Sequence, residues 1–250
     1  MLKSKAANES VRSIPSVIEA EVSERSVLAE IELFKEVDRD ALLPIERACR
    51  FRRFSAHEHI FEKDAVSTDV FFVVRGKIRI VNYSVSGREI SFADVFEGNY
   101  FGELSAIDGQ PRSAGAMAIE DTLIMALPRR LFLALLADYP QTALRVMRKL
   151  AQMVRTADER IMDLSTVAAQ SRVQAELLRQ AHSHKTVGNA AVIEPIPIHS
   201  DIASRVSTTR ETVARVLNDL ARQGIVQRTR TALLIRDMGL LQSMVEEARG

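Results

Sequence analysis

The chain of 250 residues has one cysteine, Cys49. A single thiol excludes an intramolecular disulfide and any all-cysteine metal or iron–sulfur site. An excess of one charge is missing too: 34 Lys and Arg stand against 33 Asp and Glu, a formal net charge of +1. Global charge therefore leaves no footprint of nucleic-acid binding, and any DNA contact must come from a local patch. No apolar run is long enough to span a bilayer. The first residues, MLKSKAANESVRSIPS, lack the apolar core of a signal peptide, so a cytoplasmic location is the default expectation. There is no Walker loop and no dinucleotide glycine fingerprint. Nor is there a nucleophile–base arrangement, so no catalytic residue is assigned and the chain does not read as an enzyme. His57-x-His59 and His182-x-His184 have ligand-like spacing, but no cysteine or carboxylate constellation accompanies them. No metal site and no cofactor are expected. Cys49 itself, in a strand-like segment, reads as a small core residue.

What is present is a globular composition, 46% apolar, long enough for two small domains with real cores. Met1 to about Ser16 reads as a loose polar arm. Val17 to Ile31 has helical spacing, continuing into Leu33–Phe34 and Leu42–Leu43, and is expected to cover an edge of the strand-rich region after it. From Cys49 to about Leu127, short alternating strands punctuated by glycines imply an antiparallel sandwich or roll. Within it, Asp69–Gly76 and Lys77–Tyr83 are expected to form a hairpin, and Ser86-Gly87 marks a further turn. Pro128 opens a helical tract, with a short helix over Arg129–Leu136 and a long one from about Gln141 to Val167. Met147, Val154, Ile161 and Ala168 share one heptad position, and Leu150, Ala157 and Leu164 the other. This is the pattern of a coiled-coil seam, or of a helix packed on its own domain. Ser183 to Ala191 reads as a polar connector, and Val192 to Ile198 as an extended edge segment with two prolines.

Phe101 to Ala118 reads FGELSAIDGQPRSAGAMA. It holds an acid, Glu103, in a glycine turn and a single base, Arg112, followed by Ser113. Between them, Ser105–Asp108 can form a single helical turn, and Gly109–Pro111 a bend. The arrangement suits a cyclic phosphate. Arg112 offers a permanently charged, bidentate fork to phosphate oxygens, and N–H groups at the start of the turn can donate to the same anion. Glu103, an acceptor, can take a sugar hydroxyl. An isolated acid and base would read as solvated loop charges; the continuous string carries more. It resembles the phosphate-binding cassette of the cyclic nucleotide-binding family. By that resemblance Glu103 takes the ribose 2′-hydroxyl and Arg112 the equatorial phosphate oxygens. Gly102, Leu104 and Ser105 line the turn, and Ser113 touches the phosphate or the base.

A second motif runs from Ile198 to Leu220 and has helix-turn-helix spacing. Ile202, Ala203 and Val206 form the buried face of a first helix, and Ser207 sits at the turn. Thr208 or Thr209 can cap a second helix, with Glu211 in its first turn. Val213, Val216, Leu217 and Leu220 face inward, which leaves Arg210, Glu211, Ala214, Arg215 and Asn218 outward. Arg pairs bidentately with guanine and Glu accepts from cytosine, although a charged helix face alone is usually a solvated one. Gly224 to Ile235 reads as a two-stranded wing, with Arg228 and Arg230 near its tip as phosphate contacts. Asp237 to Ala248 is a closing helix.

The stretch Thr209 to Leu217 resembles the recognition helix of the cyclic AMP receptor protein / fumarate-nitrate regulator family of bacterial transcription regulators. The likeness extends from about Leu33 to Ile235. It implies that Arg210, Glu211 and Arg215 read base edges, that Thr209 and Thr212 hold phosphates, and that His199 and Ser200 also contact DNA. The implied fold is α+β: a jelly-roll-like antiparallel β-roll, a long dimerisation helix and a winged helix-turn-helix. The expected domains are an arm and helix (1–32), the β-roll (33–138), the dimerisation helix (139–169) and the DNA-binding domain (170–250). The implied effector is cyclic AMP or cyclic GMP. The implied partners are a second copy of the chain, a palindrome of TGTGA-like half-sites and RNA polymerase, with no membrane. In the family's cyclic AMP receptor an adjacent Thr-Ser pair on the long helix meets the adenine. Counting from Arg112 and from Arg210 both lands on Ala157-Asp158, where this chain departs from the pattern, with Thr156 as a nearby substitute. The competing readings are a same-fold regulator with another effector, or a nucleotide-binding module of another system, which would lack the second motif.

Overall fold

A computed structural model describes residues 26–85 and 87–249. The expected arm, and the helix beginning at Val17, lie outside the described residues as far as residue 25. The chain divides into two compact units. Of the described residues, one holds those up to Asn82 together with Phe92–Lys149, and the other holds those of Tyr83–Ser91 and those from Leu150 on.

The first unit opens with α1 (Val27–Glu30), a 3-10 turn (Glu32–Phe34) and α2 (Arg39–Arg47). Ser26 caps α1 by accepting from the Ala29 N–H, and Asp38 caps α2. Eight strands follow: β1 (Arg50–Phe54), β2 (His59–Phe61), β3 (Val70–Arg75), β4 (Lys77–Tyr83), β5 (Glu89–Phe96), β6 (Tyr100–Phe101), β7 (Gly115–Ala118) and β8 (Thr122–Leu127). They form two four-stranded sheets, ordered β1-β8-β3-β6 and β2-β7-β4-β5. Phe54, Ile60, Phe71, Val73, Ile78, Phe101, Ala116, Ala118, Ile124 and Ala126 fill the core with side chains from both sheets. The other face of β3 is buried as well, where Phe72 meets Phe34 at 5.4 Å and Tyr100 at 5.9 Å between ring centroids. Burial on both faces explains why β3 is an unbroken apolar run. The 3-10 turn thus covers a face of the first sheet rather than an edge.

The expected β3–β4 hairpin does not form. β3 pairs with β8 and β6, whereas β4 pairs with β7 and neighbours β5 in the other sheet. One residue, Gly76, separates them, and the shortest common hairpin loop needs two. Gly76 has φ +96, and a Cβ there would lie 2.6 Å from Thr122 Oγ1. It serves as a corner at which the chain changes sheets.

Between β6 and β7 lies α3 (Glu103–Asp108), and α4 (Arg129–Asp138) follows β8. Arg129 donates to Ala106 O at 2.8 Å and so ties α4 to α3. The long helix α5 is continuous from Pro140 to Thr166. Ser165 and Thr166 return their hydroxyls to the Ile161 and Met162 carbonyls at 2.8 Å, a pattern that weakens a helix at its end. Ala168, expected in the heptad seam, is instead the N-cap of α6 (Ala169–His182).

In the second unit the expected connector is a hairpin, β9 (Lys185–Val187) and β10 (Ala190–Ile193). Its two-residue turn, Gly188-Asn189, has Gly188 at φ +58. α7 (His199–Arg205), α8 (Arg210–Arg222), β11 (Val226–Arg228), β12 (Leu233–Ile235) and α9 (Met238–Arg249) complete it. The sheet is four-stranded, ordered β11-β12-β10-β9, rather than an isolated two-stranded wing. β10 is internal because Ala191 and Ile193 alternate into the core; Pro195 and Pro197 fall beyond its end, where no ladder donor is needed. That core joins Val173 and Leu177 of α6 to Ile202, Val213, Val216 and Leu220 of the helix-turn-helix.

Candidate functional site: a cassette and a recognition helix

The cassette is hung from two left-handed glycines. Gly102, φ +82, is the N-cap of α3, and Gly109, φ +73, is its C-cap. A Cβ on Gly102 would sit 2.6 Å from Arg112 Nη1 and 3.1 Å from Asp69 O, so only glycine lets the turn approach the guanidinium. Glu103 is 4% exposed and Arg112 2%. Ser105 is buried, Gly102 and Leu104 are half-buried, and Ser113 is exposed.

Arg112 is held on all sides. Its Nε donates to Ser67 Oγ at 3.0 Å, Nη1 to Gly102 O at 2.8 Å and Nη2 to Asp69 O at 2.7 Å. The rings of Phe61 and Phe71 lie 4.3 and 5.3 Å from the guanidinium carbon. Burial pulls its pKa down to about 10, against the opposing pull of Asp69 and Glu103. Its backbone is fixed as well, donating to Ala65 O and accepting from Asp64 N. Three of the five guanidinium N–H groups are thus committed, leaving one on each terminal nitrogen.

Glu103 has a partner that sequence spacing did not reveal. Lys149 of α5 places Nζ 3.5 Å from Glu103 Oε1, donates to Tyr100 O at 2.6 Å and lies 3.5 Å from the Tyr100 ring centroid. Burial lowers the Lys149 pKa, and Glu103 opposes that shift. Burial, with Glu103 adding, raises that of the Tyr100 hydroxyl. Ser67, Asp69 and Lys149 reach the site from 45, 43 and 49 residues away along the chain from the groups they touch. No local signal in the sequence could have found them.

The other expected nucleotide residues fall in the second unit. On α5, Thr156 is half-buried, and Ala157 and Asp158 are exposed.

In the helix-turn-helix, Thr209 caps α8, its hydroxyl accepting from the Thr212 N–H at 3.2 Å. Glu211 is held below the usual carboxylate range by its own backbone N–H and the Thr209 hydroxyl, with Arg210 adding. Arg210, Glu211, Arg215 and Asn218 are exposed along one side, and Val213, Val216 and Leu220 are buried on the other. Ser207, φ +52, sits in the turn, where Arg172 donates to Val206 O at 3.0 Å. His199 and Ser200, which open α7, are half-buried; Thr209 is exposed and Thr212 half-buried. Arg228 and Arg230 are exposed at the β11–β12 turn, which Thr229 closes through Ala232.

Residues 51–139 match the family model of the cyclic nucleotide-binding domain, and residues 171–244 match that of the Crp-like helix-turn-helix domain. The chain is 33% identical over 193 residues to the cyclic AMP receptor protein of Thermus thermophilus, covering 77% of this chain and 87% of the relative. The chain belongs to the cyclic AMP receptor protein / fumarate-nitrate regulator family. It is also 26% identical over 212 residues to the CRP-like cAMP-activated global transcriptional regulator of Mycobacterium tuberculosis, covering 84% of this chain and 95% of that one. Among solved structures, a CooA mutant from Carboxydothermus hydrogenoformans shares the fold, with a TM-score of 0.72 at 23% identity, covering 83% and 94% of the two chains. The family consists of transcription regulators rather than enzymes. Both hallmark parts, a nucleotide-binding roll and a DNA-binding helix-turn-helix, are present in this member. Among the described residues no helix is long and apolar enough to cross a membrane.

Proposed function

We propose that the chain is a homodimeric transcription regulator, acting in the cytoplasm, whose DNA binding is set by cyclic AMP or cyclic GMP. The observation that carries this is a buried Arg112 that donates to Gly102 O, next to the buried Glu103, in the same chain as the exposed Arg210, Glu211 and Arg215. The two uncommitted N–H groups of Arg112 suit two oxygens of a cyclic phosphate, a bidentate charge-assisted contact. Glu103 accepts the ribose 2′-hydroxyl. Gly102, Leu104 and Ser105 shape the turn, and Ser113 lies at the exposed mouth. Lys149, 3.5 Å from Glu103 Oε1, orients the carboxylate.

Dimerisation is supported by α5, where Met147, Val154, Ile161 and Leu164 are 56, 60, 61 and 50% exposed. These residues follow the heptad positions that a second copy of the same helix would cover. Two copies place two recognition helices on a palindrome, with half-sites about one helical turn apart. Arg210, Glu211 and Arg215 read base edges in TGTGA-like half-sites. Thr209, Thr212, His199, Ser200, Arg228 and Arg230 meet the backbone, and RNA polymerase is the downstream partner. Nucleotide acts by favouring one of two arrangements of the helix pair and the DNA-binding units.

Calorimetry with cyclic AMP, cyclic GMP and ATP, followed by DNA binding with and without the tightest of them, tests the proposal. A chain that binds none of the three, or whose DNA affinity ignores the one it binds, sinks the effector reading.

A further inference from the structure

The end of the long helix and the DNA-binding elements share a run of buried ion pairs that nucleotide and base recognition do not use. Asp163, near the end of α5, is 5% exposed, and Glu176 of α6 is 1% exposed. Asp163 accepts a two-pronged contact from Arg249, the last residue of α9, at 2.9 Å from Nε and 3.0 Å from Nη2. It also takes Arg179 Nη2 at 3.5 Å. The other terminal nitrogen of Arg179 donates to Glu176 Oε2. Glu176 Oε1 accepts from Gln180 Nε2 at 2.9 Å and from Arg205 Nη1 at 3.4 Å. Arg205 belongs to α7, the first helix of the helix-turn-helix. The pairs therefore run without a break from α9 to α5, to α6 and to α7. Arg160 of α5 joins the same field: burial lowers its pKa, Glu176 opposes that, and Arg179 and Arg205 add to it.

Apolar side chains of the same volume would hold these helices at least as tightly, because burying two charges costs about as much as their attraction returns. A forked ion pair differs in what it tolerates. Its energy falls off sharply when the guanidinium and carboxylate leave their common plane, so it fixes an angle that an apolar contact leaves loose. Here the fork of Arg249 on Asp163 fixes the angle between the closing helix α9 and the last turns of α5, and the single contact of Arg205 with Glu176 carries the run on from α6 to the first helix of the motif.

We propose that Asp163 and Glu176 are positioning residues, linked through Arg179, that hold the helix-turn-helix at the orientation in which α8 can read DNA. The orienting role rests on the DNA reading proposed for α8, and the link to effector control rests in addition on the proposed nucleotide response.

The test compares wild type with D163N and E176Q, which keep size and remove charge. R249Q is the milder variant at the more exposed end of the run, since that side chain is 42% exposed. The probes are a duplex with two inverted TGTGA half-sites, its single-base variants and random DNA, each with and without cyclic AMP, at a temperature where circular dichroism shows all four proteins fully folded. Nucleotide affinity is measured separately by calorimetry. In D163N and E176Q, affinity for the site falls about tenfold or more, and less in R249Q, because a broken buried pair leaves its partners uncompensated. The ratio of affinities for the site and its single-base variants stays as in wild type, as does nucleotide affinity. Wild-type affinity for the site in both D163N and E176Q overturns the proposal. So does a loss matched by lost base discrimination, which would place the defect in α8 itself. A wild type indifferent to nucleotide sinks the effector reading and leaves the orienting role to be judged on DNA affinity alone.

Discussion

Arg112 with Glu103, and Arg210 with Glu211, carry the same two functional groups in opposite settings. The first two residues are 2% and 4% exposed, and the second two lie open on a helix. The cassette must envelop a small anion, so its charges are set in advance against backbone carbonyls and aromatic rings, away from water. A charged hydrogen bond is strong in such a place and very costly to leave unmade. The recognition helix must enter a groove that is already a polyanion, so its charges need only protrude at the right angle. An Arg in the cassette is thus part of the core, whereas Arg210 and Arg215 on α8 stand exposed, where the proposed function puts them on DNA. Single substitutions can break that division.

The largest effect belongs to Arg112→Leu. Nucleotide binding should be lost, since a buried, unpaired phosphate charge costs about 2–5 kcal/mol or more. The roll should also weaken, because Gly102 O and Asp69 O lose their donors, at about 1–3 kcal/mol for each group left unsatisfied. Calorimetry and thermal unfolding read the two losses separately. Near-wild-type nucleotide affinity would remove Arg112 from the site, and an unchanged unfolding midpoint would show that it is not part of the core.

Glu103→Ala should weaken nucleotide binding by about 1.5–3 kcal/mol, the worth of one charged hydrogen bond. It also strands Lys149, whose pKa burial already lowers. A double-mutant cycle with Lys149→Met should therefore show coupling in stability of about 0.5–3 kcal/mol, the range for residues in contact. Strict additivity would mean that the 3.5 Å approach of the two groups has no energetic content.

Arg210→Ala should leave the unfolding midpoint alone, within about 0.5 kcal/mol for a surface change. On DNA it should cost about 1–3 kcal/mol and relax selectivity at one guanine per half-site. Equal loss on specific and random DNA would reassign Arg210 to a phosphate. A drop in stability comparable to that of Arg112→Leu would break the contrast between the two regions.

That contrast also explains what could be read from the sequence. A recognition helix depends on periodicity, on a cap at Thr209 and on small Ala203, all local features, and its exposed and buried faces come out as expected. The cassette string is equally local, but its supports are not. Ser67, Asp69 and Lys149 arrive through strand pairing and helix docking that no short window of sequence encodes. The β3–β4 hairpin fails for a related reason, since alternation identifies strands but not which sheet each joins. Gly76 reads as a turn residue in either case, and only its neighbours Thr122 and Asp121 make it a corner. Likewise the Gly188-Asn189 turn lies in a stretch polar enough to pass for a connector, because β9 is an edge strand with little to bury. Nothing in the sequence marks Asp163 and Glu176, whose ion pairs exist only once the helices around them are in place.

The smallest effect should come from Asp158, which carries the chain's departure from the Thr-Ser pair of the family's cyclic AMP receptor. It is exposed on α5 beside the heptad positions, and Ala157 before it offers no polar group. An ionised carboxylate only accepts. It can take one hydrogen from adenine N6, or two from guanine N1 and N2, which are adjacent donors. Thr156 is a weaker substitute, since one residue along a helix turns its side chain by more than a quarter of a turn. Cyclic GMP should therefore bind at least comparably to cyclic AMP. Asp158→Ala should lower cyclic GMP affinity by about 0.5–1.5 kcal/mol, the net worth of a modest hydrogen bond, and cyclic AMP affinity by less. Titrating both nucleotides against both proteins decides the matter. A strong cyclic AMP preference that the substitution leaves unchanged would make Asp158 a solvated flank of the dimer seam, and the selectivity would then rest on cassette residues alone.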